Sequence, residues 1–151
     1  MTDRIRLVTT ELVRESGPDD AAHFISGPED AGDILQDLIG HSDREIFAVL
    51  HLDAQNRIIA SELISTGSLC SSLVHPREVF KGLILNNAAS FIAGHNHPSG
   101  NLVASREDMA VKWRLESAGK LMGIPMLDFV IVSLDGFVAE NNVQPREGSE
   151  R

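Results

Sequence analysis

Four side chains in one short stretch could do chemistry together. In GHNHPSGNLVASRED, residues 94–108, His95 and His97 sit one residue apart, and Ser105 and Asp108 follow a run that contains proline and glycine. In an extended chain side chains alternate faces, so the two imidazoles share a side, with Cα atoms roughly 6 to 7 Å apart. Placed so at a strand end, they can reach a single ion. The plainer reading is a turn that contains histidines, followed by a helix start. Ser105 suits an N-cap, because its oxygen can accept from the free N–H groups of a new helix. Ser-x-x-Asp then reads as a capping box, and an acid in the first turn favours the helix dipole. Yet Asp108 precedes Val111 by three residues, and Val111, Leu115, Ala118 and Met122 form the apolar stripe of that helix. A carboxylate on the inward face needs a partner, and a metal held by the histidines would supply one. Two histidines and an aspartate suit a catalytic zinc, which keeps its fourth position for water and lowers the pKa of that water to about 7. A structural zinc would close its shell, often with cysteine, and the single cysteine, Cys70, is remote in sequence. Other divalent metals accept the same donors.

Positioning these groups takes a sheet and at least one helix. Ser26-Gly27-Pro28 opens a helix, with Pro28 near its first position, Ala31, Ile34, Leu35, Leu38 and Ile39 as its apolar stripe, and Gly40 at its end. EIFAVLHL, residues 45–52, reads as a mostly buried strand. DAQN turns the chain, and RIIASELIST, residues 57–66, returns as a second strand. GSLCSS is a loop, and HPREVFKGLILNNAA predicts a helix starting at Pro76. SFIAGHNH, residues 90–97, is a short strand running into the histidines, which PSGN breaks. Ser105 to about Met122 is a third helix, MLDFVIVS (126–133) a strand, LDG a turn, and FVAE a strand that pairs back. The order αββαβαββ predicts an α/β (α+β) domain, a mixed β-sheet flanked by helices.

The 151 residues suffice for one packed core. Residues 1–25 read as an N-terminal extension, 26–142 as the domain and 143–151 as a flexible tail. With 22 acidic against 13 basic residues, a formal charge of −9 and no lysine–arginine cluster, broad contact with nucleic acid is disfavoured. No run approaches the ~18 to 20 apolar residues of a membrane helix. The charged start, MTDRIRLVTTELVRESG, has no signal-peptide core. The expectation is a cytoplasmic protein that engages no membrane and forms no internal disulfide.

The full string, H-x-H, seven residues, then S-x-x-D, resembles the JAMM motif of the JAB1/MPN/Mov34 metalloenzymes. The wider sequence resembles their RadC branch over roughly residues 26–142, through REIFAVLHLDAQNRIIASEL, GSLCSSLVHPREVFKGLILNNAASFIAGHNHPSGN and SREDMAVKWRLESAGKLMGIPMLDFVIVS. The resemblance implies a JAB/MPN, cytidine-deaminase-like mixed sheet and a zinc ion held by His95, His97 and Asp108. It implies that Ser105 hydrogen-bonds the oxyanion of a tetrahedral intermediate and that Glu45, at the start of the first strand, is the general base. The chemistry asks for such a carboxylate independently, to take a proton from water and return it to the leaving amine. Glu62, on the second strand, is the alternative base, and the sequence leaves both open. The implied activity is zinc-dependent hydrolysis of a peptide or isopeptide bond in an unidentified protein or peptide. The alternatives are a non-catalytic zinc-binding interaction module and an accessory factor associated with DNA repair. Self-association into a homo-oligomer stays open.

Several residues depart from the RadC pattern or carry a simpler reading. HNHPSGNLVAS lacks the acid and two prolines of the usual HNHPSGDPxPS, which predicts a more mobile loop. Phe129 follows Asp128 where RadC-like sequences usually carry a histidine. The stretch before the first domain helix is too short for the helix-hairpin-helix region of full-length RadC proteins. His75, before Pro76, reads as a helix cap, and His23, His41 and His51 read as surface or core. Trp113 and the methionines read as packing or surface residues, and Cys70 lacks the basic neighbours of a reactive thiol.

Overall fold

A computed structural model describes residues 23–67 and 74–140. Cys70, most of the N-terminal extension and the C-terminal tail lie outside these residues. The elements are α1 (Pro28–Ile39), β1 (Ile46–Leu52), β2 (Ile58–Thr66), α2 (Pro76–Leu85), β3 (Ser90–Asn96), α3 (Arg106–Met122), β4 (Met126–Val132) and β5 (Phe137–Ala139). Their order is the predicted αββαβαββ. They build one five-stranded sheet in the order β2-β1-β3-β4-β5, in which only the β3–β4 pair is parallel. α3 makes that crossover, as a parallel pair requires.

Period-two alternation sorts the strand residues between two cores. Ala48, Leu50, Ile92, Val130 and Val132 face α1, where Ala31, Leu35 and Ile39 cover them. Phe47, Val49, Phe91, Ala93, Phe129 and Ile131 face α2 and α3 and pack against Val79, Leu83, Val111 and Leu115. The central strands are buried on both faces, which is why β1, β3 and β4 read as near-continuous apolar runs rather than alternating ones. Gly94 permits close packing of α1 on β3: a Cβ there would stand 2.7 Å from two Leu35 carbons.

The boundaries correct the sequence reading in two places. α2 ends at Leu85 and does not run through Asn86 to Ala89, because Asn87 adopts φ 53, the left-handed region that asparagine tolerates. Packing also begins ahead of Ser26. Phe24 bridges to Arg57, and Ile25 is buried, its N–H donating to the Asn56 carbonyl at 2.9 Å. Among the described residues no helix is long and apolar enough to cross a membrane.

Candidate metal centre

The β1–β3 ladder brings one histidine to the end of the sheet, with Phe47 opposite His95 as the last pair of the register. β3 stops at Asn96, but the His97 N–H still donates to the Val132 carbonyl at 2.8 Å. That bond carries the alternation one residue further, so both imidazoles face the α3 side. Their rings lie 4.9 Å apart between centroids and nearly perpendicular.

α3 delivers the carboxylate. Ser105 caps the helix in both directions: the Asp108 N–H donates to Ser105 Oγ at 3.1 Å, and the Ser105 N–H donates to Asp108 Oδ2 at 2.8 Å. The capping box and the inward-facing acid are therefore one residue. Asp108 is 2% exposed, its Oδ2 lies 3.1 Å from His97 Nε2, and its Oδ1 lies 3.6 Å from His95 Nε2.

Hydrogen bonds on the far side of each ring fix which nitrogen faces inward. His95 Nδ1 meets the Ile46 carbonyl at 3.2 Å, and His97 Nδ1 meets the Asn101 carbonyl. A carbonyl only accepts, so each Nδ1 carries a proton, and in the neutral ring Nε2 is then the nitrogen with the lone pair; both Nε2 atoms face Asp108, that of His97 within hydrogen-bond reach of Oδ2. Two lone pairs and a carboxylate turned toward one point repel one another unless a proton or a metal cation stands among them. Burial pushes the His95 pKa below its ordinary value, against the opposing pull of the Asp108 charge, which favours the neutral, ligating imidazole. His95, His97 and Asp108 each offer a donor atom within 4.8 Å of the others, a group able to hold a metal ion. Backbone acceptors behind metal-ligating histidines are the usual means of holding ring and tautomer.

A cleft of about 240 Å³ opens on these three residues, and Glu45, Ser99, Asn101, Val103 and Ser105 complete its wall. A neighbouring polar cleft of about 520 Å³, lined by Asp43, Arg44, Gly67 and Pro98, shares Glu45 and Ser99 with it. Glu45 thus stands where the two meet. Glu62 does not line either cleft. It lies opposite Val49, against α2, with Oε2 3.3 Å from Nε2 of the buried His51. Gly82 makes room there, since a Cβ at that position would come within 2.0 Å of Glu62 Oε2. Burial raises the Glu62 pKa, and burial lowers that of His51 to about 4.

The remaining sequence candidates separate cleanly. His75 caps α2, its Nδ1 accepting from the Arg77 N–H at 3.0 Å. His23 and His41 are exposed, as is Trp113. Phe129, in place of the usual histidine, packs beside Phe47, whose ring in turn lies against His95. The Asn101 and Ile46 carbonyls, which orient the ligands, left no trace in the sequence, because a main-chain acceptor is common to every residue type.

A family model described as "RadC-like JAB domain" matches residues 25–143, most of the chain and all of the site. The chain belongs to the RadC-like JAB domain family. Among its relatives, the UPF0758 protein of Rubrobacter xylanophilus is 50% identical over 108 residues, covering 72% of this chain and 48% of that protein. The UPF0758 protein of Finegoldia magna is 49% identical over 109 residues, covering 72% and 49%. That of Methanosarcina mazei is 40% identical over 131 residues, covering 85% and 57%. This RadC-like chain therefore spans about half the length of the curated relatives it matches.

Proposed function

We propose that the protein is a zinc-dependent hydrolase of the JAMM type that cleaves a peptide or isopeptide bond in a protein or peptide substrate. One observation carries the reading: both ligand histidines have Nδ1 tied to a backbone carbonyl, so that both Nε2 atoms converge with Asp108 in a cleft that Glu45 also lines. Neutral imidazoles and one carboxylate are a donor set that suits zinc with a coordination position left for water. When bound, zinc supplies Lewis acidity, polarising a carbonyl and bringing the pKa of water to about 7.

The chain's own groups would do the rest. Glu45 accepts the proton of the attacking water and returns it to the leaving amine, so one carboxylate serves as base and then as acid. Ser105 Oγ already accepts from the Asp108 N–H, which leaves its hydroxyl proton to donate to the oxygen of the carbonyl under attack. The cleft lined by Asp43 and Arg44 extends from Glu45 and offers polar groups for the chain on one side of the scissile bond.

The test is hydrolysis of a peptide and isopeptide library by the zinc-loaded protein beside Glu45→Gln. Cleavage by the wild type that is lost on chelation and in the variant supports the reading. A wild type that holds zinc yet cleaves nothing would favour a non-catalytic zinc-binding module.

A further inference from the structure

We infer that Asn96, the residue between the two histidines, is a positioning residue that locks the backbone on both sides of Glu45 and thereby sets the general base against the metal ligands. The inference rests on the proposed hydrolase reading for its chemical meaning, but its geometry stands by itself. Period two turns Asn96 away from His95 and His97, toward the connection that leads from α1 into β1. There the side chain is fully buried and uses all its hydrogen-bonding groups. Oδ1 accepts from the Ile46 N–H, and Nδ2 donates to the Arg44 carbonyl at 2.9 Å and the Ser42 carbonyl at 3.5 Å. Arg44 and Ile46 are the two neighbours of Glu45, so one amide group holds the chain immediately before and after it.

The register explains why a side chain is needed at this point. The β1–β3 ladder ends at Phe47 and His95, and Ile46, the next residue outward, has no backbone partner on β3. Its N–H goes to Asn96 and its carbonyl receives His95 Nδ1–H. One peptide segment thus connects three functions. Asn96 fixes Ile46, Ile46 fixes the tautomer of His95, and the same clamp fixes Glu45. Only a side chain with one acceptor and two donors on a planar head satisfies the Ile46 N–H and two carbonyls together. A hydroxyl there has a single donor, and a carboxylate would set an oxygen against the two carbonyls.

The experiment compares Asn96→Ala and Asn96→Asp with the wild-type chain by amide hydrogen exchange and by the ring-nitrogen NMR signals of His95. Zinc affinity by chelator competition is measured on the same samples. The expected result for Asn96→Ala is exchange of the Ile46 amide at least about tenfold faster, with Ala93 and Val130 in the sheet centre unchanged. His95 should lose the single Nδ1–H tautomer, and zinc affinity should fall by about 10- to 100-fold, the usual cost of losing support behind a ligand. Asn96→Asp keeps an acceptor for the Ile46 N–H but loses both donors to Ser42 and Arg44, so it should recover Ile46 protection and zinc affinity together and only in part. Unchanged Ile46 exchange overturns the inference, and so does acceleration of Ile46, Ala93 and Val130 in step, which would make Asn96 a general core residue. A wild-type chain that takes up no zinc would instead remove the hydrolase reading, while the Ile46 exchange would still decide the clamp.

Discussion

His95 and His97 meet Asp108 at one end of the β1–β3 seam, and His51 meets Glu62 near the other end, on the same face of the sheet. Both regions pair imidazole with carboxylate, with Asp108 buried and Glu62 partly exposed, yet only the first gathers three donor atoms able to hold a metal ion. The difference lies behind the rings. At His95 and His97 the far nitrogen meets a carbonyl, which holds the proton there and points a lone pair inward. At His51 the far nitrogen meets the Asn86 amide nitrogen at 2.8 Å, which can only donate. Nε2 of His51 therefore carries the proton and turns it toward Glu62, 3.3 Å away, an electrostatic approach without the alignment of a hydrogen bond. A candidate ligand and a buried structural histidine differ here in the donor or acceptor on their outer side.

Substitutions can break or sharpen this contrast. The largest effect on turnover is expected for Glu45→Gln, about 100- to 10,000-fold in kcat with zinc retained, as for loss of a general base. Steady-state kinetics with metal analysis on the same sample checks it. Next comes Ser105, whose cap and proposed oxyanion role separate by substitution. Ser105→Ala and Ser105→Gly should both lower kcat by about 100- to 1,000-fold through loss of an oxyanion donor. Thermal unfolding should show about 0.5–2 kcal/mol lost in the alanine variant but only a few tenths in the glycine variant.

His51 governs a pH effect rather than turnover. Its folded-state pKa is lowered from 6.5 to about 4 by burial, so between those values the unfolded chain binds a proton that the folded chain refuses. The stability this contributes is complete above pH 6.5 and is lost as pH falls toward 4, roughly 3 kcal/mol in all. Denaturant unfolding of His51→Gln across that range should show a flatter acid limb than the wild type, with metal content unchanged. Glu62 works in the other sense, since a raised carboxyl pKa withdraws stability as pH climbs above 4.5. The smallest effect on catalysis is expected for Glu62→Gln, whose kcat should match the wild type. A loss there with Glu45→Gln active would exchange the two carboxylates' roles.

Local pattern made much of this legible, and the gaps fall where tertiary contacts decide. The element order followed from apolar runs and turn residues, and the spacing of His95, His97 and Asp108 pointed to a group that the fold does bring together. Asp108 looked in sequence like either a cap or a ligand, and the helix start makes it serve the first while facing the second. Glu45 and Glu62 were indistinguishable because each begins or lines a strand. Their separation depends on the β1–β2 register, which slips between Phe47 and Ala48, and on where α2 comes to rest. Asn96 carries no sequence signal of its own between two conspicuous histidines, because its role depends on burial and on the Ser42–Ile46 backbone that only the fold brings to it.

The central claim, that His95, His97 and Asp108 hold zinc while His51 and Glu62 do not, is tested most directly by elemental analysis of the purified protein, His97→Ala and His51→Ala. The expected result is stoichiometric zinc in the wild type and in His51→Ala, and none in His97→Ala. A wild type that contains no metal and takes up none from added zinc, or a His97→Ala variant that keeps it, would contradict the assignment.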